Sequence, residues 1–341
     1  MHRLSLSLGA ALFLAPSLVI SDEVRVLTWE AYLSKEVIAA FAKQTGHSIH
    51  QVFISSDTER NAILATDGGL LFDLVMTDSN ATRVYAQDGL IQPLSDKVPN
   101  GEHIDRRWQQ ACGDYGLAYS WGTLGIAYRS SLVHDIISWK QLFSPSRPLR
   151  GRVVMMTDIH DFTAVALIAA GFDPNSEERS ELQAAYALMQ EQQQYVLAYD
   201  YGLSYALSRR QDSQMAMTLA YSADVEEIIE ATGQQDWVYR IPNEGTMLWV
   251  DCWTAPAGHP IKPATLAFLN FINQPEIAAL NAETTWMPTP IASAKALTTL
   301  KHRQDRELYP TEQITNRSEV FRSLSKDAID LRAKMVATIK D

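Results

Sequence analysis

The stretch EGTMLWVDCWTAP, residues 244–256, holds one carboxylate, Asp251, in a run of Met247, Leu248, Trp249, Val250, Cys252 and Trp253. A carboxylate buried without a partner costs several kcal/mol, so such a run calls for a cation to meet it. Three further aspartates, Asp158, Asp161 and Asp224, fall where predicted strands end or helices begin. Each taken singly has an ordinary explanation as a helix cap, and Asp161 and Asp224 stand one or two residues ahead of an apolar-periodic helix. Asp251 escapes that explanation, because no helix starts behind it. Aromatic residues recur at the same strand ends: Trp29, Tyr32, Trp121, Tyr221, Trp249 and Trp286. Ring faces attract cations and cover methylene stems, while carboxylates grip ammonium groups through charge-assisted hydrogen bonds. The two residue types together point to recognition of an alkylammonium ligand, and core packing is the plainer account of any single ring.

Other chemistries leave little trace. The chain has no G-x-S-x-G, H-E-x-x-H, G-x-x-x-x-G-K or G-x-G-x-x-G. TDIHD, residues 157–161, sets Asp158, His160 and Asp161 at a spacing that can ligate a metal, but no second ligand group at a characteristic spacing supports it. An exported metal-dependent hydrolase built on those three residues is therefore a rival expectation, not the leading one. No catalytic residue, resident metal or cofactor is assigned.

The elements that must position these residues alternate. EVRVLTW (23–29) reads as a strand, and SKEVIAAFAKQTG (34–46) as a helix with Ser34 as cap and Gly46 as terminator. Strands are expected at 49–54, 71–77, 151–158 and 214–222. Helices are expected before Gly89, at 161–171, at 177–193 and at 223–233. This grammar predicts an α/β chain with mainly parallel sheet in two lobes, joined by strand crossovers around a ligand cleft. Ligands of open α/β sheets bind near the carboxyl ends of strands, where the four aspartates fall.

With 341 residues, 46% of them apolar and 20% charged, the chain suits a folded protein of two medium lobes. Residues 1–21 have a short basic start (His2, Arg3) and an apolar stretch from Leu8 to Ile20 broken by Pro16, the pattern of a cleaved secretory leader. The mature chain is expected to begin near Asp22 and to reside in the periplasm. Loss of the leader removes Arg3 alone, so 28 Lys+Arg face 40 Asp+Glu and the net charge moves from −11 to −12. That balance disfavours nucleic acid and suits a cationic partner. Cys112 and Cys252 are candidates for a disulfide in an oxidising compartment, a pairing the sequence leaves open.

VLTWEAY (26–32), FDLVMTDSNA (72–81), YSWGTLGIAYRSS (119–131), SWKQLF (138–143), DPNS (173–176), AYSAD (220–224), IPNEGTMLWVDCWTAPAG (241–258) and LNFINQPEIAA (269–279) follow one another along nearly all of the mature chain. In this order they resemble the spermidine/putrescine-binding proteins that serve bacterial ABC importers. The resemblance implies a two-lobed, type II-like periplasmic-binding-protein fold, with residues 22–124 and 252–300 in one lobe and 125–251 and 301–341 in the other. It implies a ligand set of Trp29, Glu30, Tyr32, Asn80, Asp158, Asp161, Tyr221, Asp224, Trp249, Asp251 and Trp286, to which this chain's own Asp78 is expected to add a carboxylate.

There are departures from the family's pattern. Thr77 and Asp78 stand where Pro-Ser is frequent, Tyr221 stands where tryptophan is usual, and Trp286 or Met287 replaces a late tyrosine. The implied partners are a polyamine and a membrane protein. An ABC permease is the usual membrane partner, and a receptor that signals through cyclic di-GMP is the alternative. A monomer is expected, and another small solute is the remaining alternative ligand.

Overall fold

The computed structural model describes residues 22–54 and 57–340, so the expected leader lies outside the described residues. Among them eleven strands form one extended sheet: β1 Glu23–Thr28, β2 Ser48–Phe53, β3 Leu74–Asp78, β4 Ile91–Gln92, β5 Gly116–Arg129, β6 Val153–Met155, β7 Val196–Tyr199, β8 Met217–Tyr221, β9 Trp237–Arg240, β10 Met247–Pro256 and β11 Glu319–Val320. The order is β2-β1-β3-β10-β5-β8-β6-β7, with β4 and β11 on β10 and β9 on β5. The first helix behaves as its sequence requires. Ser34 accepts from the Val37 N–H, and Gly46 closes Lys35–Thr45 in the left-handed region at φ 77°.

The sheet is mixed, not mainly parallel. β1, β2 and β3 run parallel, as do β6, β7 and β8. β5, however, lies antiparallel to β8, β9 and β10, and β10 lies antiparallel to β3, β4 and β5, with only β11 parallel to it. These two long strands carry the chain across the molecule. β5 pairs with β10 over residues 116–123 and with β8 and β9 over 124–129.

The crossing point is sharp. Trp121 and Leu248 belong to the first lobe's core, with Val26, Phe41, Trp253 and Phe268, whereas Leu124 and Met247 belong to the second's, with Trp139, Phe162 and Leu219. The third connection is β11, which pairs with β10 at Met247 and Leu248. Arg83 of the first lobe donates to the Phe321 carbonyl, and Asn175 of the second binds the Val320 carbonyl at 3.1 Å.

Two boundaries differ from the sequence-based division. Asp251 lies in the first lobe, because β10 continues unbroken along β3, where Asp251 and Asp78 are register partners. Residues 301–315 also pack there: Leu308 and Tyr309 are in the first core, and Tyr309 sits edge-on to Trp121. Only from β11 onward does the chain join the second lobe, ending in the helix Lys326–Lys340, whose Met335, Val336 and Ile339 enter that core.

Cys112 and Cys252 are bonded, with Cα atoms 5.8 Å apart. The bridge ties the helix Arg106–Cys112 to β10 at the residue after Asp251. A register shift between Asp251 and Cys252 leaves Tyr119 as an extra residue in β5. Such a bulge re-aims the side chain it carries.

Candidate ligand-binding cleft

Asp251 is 7% exposed and forms no salt bridge among the described residues, although Arg60 is near enough to pull its pKa down. Its Oδ2 accepts instead from the Tyr32 hydroxyl at 2.9 Å. Burial raises its pKa to about 7, against the opposing pull of that hydrogen bond. Tyr32 is held in turn. The chain reverses after β1 with Ala31 at φ 61°, and the bulged Tyr119 donates to the Tyr32 carbonyl at 2.5 Å. Asn281 donates to the Tyr119 hydroxyl at 2.7 Å and accepts from the Ser34 N–H at 3.0 Å. Tyr119 and Asn281 are thus positioning residues that sequence reasoning did not single out.

Trp249 lies across the β5 backbone at its register partner Gly122, where a Cβ would fall 2.1 Å from the indole. Its Nε1 is buried without a protein partner among the described residues. Gly122→Ala therefore displaces the ring, and overpacking of that kind costs about 1–3 kcal/mol. Ligand affinity should fall about tenfold with the overall fold kept. Titration calorimetry alongside tryptophan fluorescence checks it, and an unchanged affinity would remove Trp249 from the site.

The second lobe supplies a matching set. Asp158 is the cap of the helix Ile159–Ala170, accepting from the His160 and Asp161 N–H groups at 2.8 and 2.9 Å. The cap expected at Asp161 is therefore one turn earlier, and Asp161 is freed. At 5% exposure, Asp161 accepts from the Tyr221 hydroxyl at 2.6 Å. Burial, reinforced by the neighbouring Asp158, holds its pKa well above the usual carboxylate range.

Asp224 begins the helix Asp224–Thr232 and turns its carboxylate back to the Tyr221 N–H, at 2.8 Å, and to the Tyr201 hydroxyl, at 2.6 Å. It too is 5% exposed and is pushed up to about 7 by burial. Tyr201, whose ring meets Tyr221 edge-on, follows β7. The strand-end rule that found Tyr221 would have found it had β7 been recognised.

Other expected residues have different surroundings. Asp78, read as a further carboxylate for a ligand, is already engaged: it caps the helix Ser79–Gln87 through the Asn80 and Ala81 N–H groups and pairs with Arg60 at 3.1 Å. Asn80 is half-buried beside it, Trp29 packs between two first-lobe clusters, and Glu30 is exposed. The Trp286 ring meets His302 edge-on and lies 4.8 Å from the Lys301 ammonium.

The metal-like triplet does not converge. Asp158 caps its helix, His160 sits against Phe321 and Asp161 turns to Tyr221. No group of three such ligands is assembled among the described residues.

The two halves face each other. Asp161 feels Asp78 and Asp57 of the first lobe as well as Asp158, and Tyr32 feels Tyr201. Three buried carboxylates, each met by tyrosine hydroxyls or backbone N–H groups and none paired with Lys or Arg among the described residues, surround the crossing point. Ionised, such a set carries negative charge that protons or cations relieve.

Residues 36–307 match the family of bacterial extracellular solute-binding proteins. The chain belongs to that family. This solute-binding protein is 31% identical over 318 residues to the norspermidine sensor of Vibrio cholerae, covering 93% of this chain and 88% of the relative. It is 24% identical over 321 residues to the spermidine/putrescine-binding periplasmic protein of Escherichia coli, covering 91% and 90%. Its fold matches the crystal structure of a spermidine/putrescine ABC transporter substrate-binding protein from Streptococcus pneumoniae. The TM-score is 0.82 at 21% identity, over 94% of this chain and 99% of that one.

Proposed function

We propose that the chain is a periplasmic polyamine-binding protein whose two lobes close on the ligand and present the closed form to a membrane partner. The observation that carries this is the trio Asp161, Asp224 and Asp251, 5–7% exposed and met only by tyrosine hydroxyls or backbone N–H groups. Ammonium groups spaced along a methylene chain supply the missing charge. Trp249 then covers the stem, and the tyrosines fix the carboxylate oxygens that receive the amines. Monovalent metal ions lack the stem, and anionic solutes meet repulsion.

Calorimetric titration tests the proposal, using residues 22–341 after unfolding and refolding to strip bound ligand, against di-, tri- and tetra-amines. Tight one-to-one binding of one or two of them is expected. A folded protein that binds none of them overturns the proposal.

For the output, delivery to an ABC permease and signalling to a membrane receptor use the same closed form. The sensor relative, at 31% identity against 24% for the E. coli binding protein, supports signalling as the second reading. Deletion of the gene separates the two: loss of polyamine uptake favours the permease, and uptake left intact with an altered cyclic di-GMP level favours the receptor.

A further inference from the structure

A cation already stands at one end of the cleft. Arg60, in the helix Asp57–Leu64, is 2% exposed. Its guanidinium lies 2.7 Å from Asp57 and 3.1 Å from Asp78, with its carbon 6.0 Å from the centre of the Tyr85 ring. Two carboxylates and an aromatic face are the same equipment that receives an alkylammonium group. The place is continuous with the rest of the site. Asp78 is the register partner of Asp251 on the neighbouring strand, and Asp57 and Asp78 act on Asp161 across the cleft. Nor is the guanidinium fully engaged by its neighbours, since its Nε is buried without a protein partner among the described residues.

We propose that Arg60 is a resident cation: it fills the subsite bounded by Asp57, Asp78 and Tyr85 and so limits how many ammonium groups the cleft accepts. The proposal rests on the polyamine reading and adds a specificity determinant to it. With Arg60 in place the two aspartates and the guanidinium sum to one negative charge. Without it they sum to two, and a volume the size of the side chain opens beside them. A ligand amine that reaches this end meets a guanidinium of its own sign, which is a repulsive element selecting against longer or more highly charged chains.

The test compares 1,4-diaminobutane, spermidine and spermine by calorimetry on the parent and on Arg60→Ala. In the variant the affinity for spermine relative to the diamine should rise at least about tenfold, the effect of one recovered ammonium contact. An unchanged ratio in a folded variant overturns the proposal and leaves Arg60 a structural ion pair. If the parent binds none of the three, the polyamine reading falls and this proposal with it, which is a different outcome from an unchanged ratio.

Should Arg60→Ala fail to fold, Asp57→Asn serves, because the Asp57 side chain is 63% exposed. That change leaves the guanidinium less neutralised and should lower the spermine-to-diamine ratio severalfold. An unaltered ratio there overturns the proposal as well.

Discussion

Asp251→Asn should weaken polyamine binding at least about thirtyfold, because truncating one partner of a buried charge pair costs roughly 2–5 kcal/mol. The same change should raise the melting temperature of the empty protein at pH 8. Asn keeps an oxygen for the Tyr32 hydroxyl, which now donates at 2.9 Å, and removes a charge that burial disfavours. Asp224→Asn should behave alike, since its two hydrogen-bond donors, Tyr201 and the Tyr221 N–H, are also satisfied by an amide oxygen. Asp158→Asn is the contrast: the residue is exposed, its role is to cap a helix, and asparagine caps as well as aspartate. Calorimetry and thermal melts on the three variants check this. Undiminished affinity in both Asp251→Asn and Asp224→Asn would show that the carboxylates do not hold the ligand.

Binding should also weaken steeply in acid. Asp224 and Asp251 have pKa values raised to about 7, so in the empty protein both take up protons as the pH falls from 8 to 6. Alkylammonium groups stay charged across that window, and the cation must displace the protons. Each displaced proton contributes up to about a factor of ten per pH unit below its pKa, so two give a limit of about a hundredfold per unit.

The stability of the empty protein moves the other way. Its folded carboxyls hold protons that the unfolded chain has released, so stability falls as pH rises from the ordinary aspartate range through about 7. The melting-temperature gain from ligand should therefore be large at pH 8 and small at pH 6. Equal affinity at the two values would contradict the burial of ionised carboxylates in the complex.

Much of this was legible in the chain, and the failures have physical causes. Ser34 and Gly46 mark the first helix as both cap and terminator, and local chemistry of that kind survives folding. Asp251 announced itself because charge in an apolar strand has no local explanation. Asp158 and Asp161, each readable as a cap or a ligand residue, stand three residues apart at a helix start. Which of them caps depends on where the helix begins, and Ile159 opens it two residues earlier than hydrophobic periodicity suggested.

Arg60 and Tyr201 were missed for different reasons. Arg60 acquires meaning only from Asp78 on another element, whereas Tyr201, which meets Asp224, follows a strand, β7, that the sequence did not mark. The lobe boundary at Asp251 failed for the first of these reasons. β10 shows no break in its sequence at the place where its neighbours change from one lobe to the other.

The seat of Trp249 on Gly122 has a kinetic consequence. Both residues lie within one or two positions of the point where β5 and β10 pass from one core to the other, so in the proposed closure the indole is mounted on the axle. In that motion a wall on the axle hardly moves, whereas Asp251 on one lobe and Asp161 and Asp224 on the other would draw together. A polyamine bound as proposed would find a landing surface for its stem before closure, and the carboxylates of both lobes for its ammonium groups after it. Association should divide into a fast docking step, proportional to ligand concentration, and a slower first-order latch that carries most of the affinity.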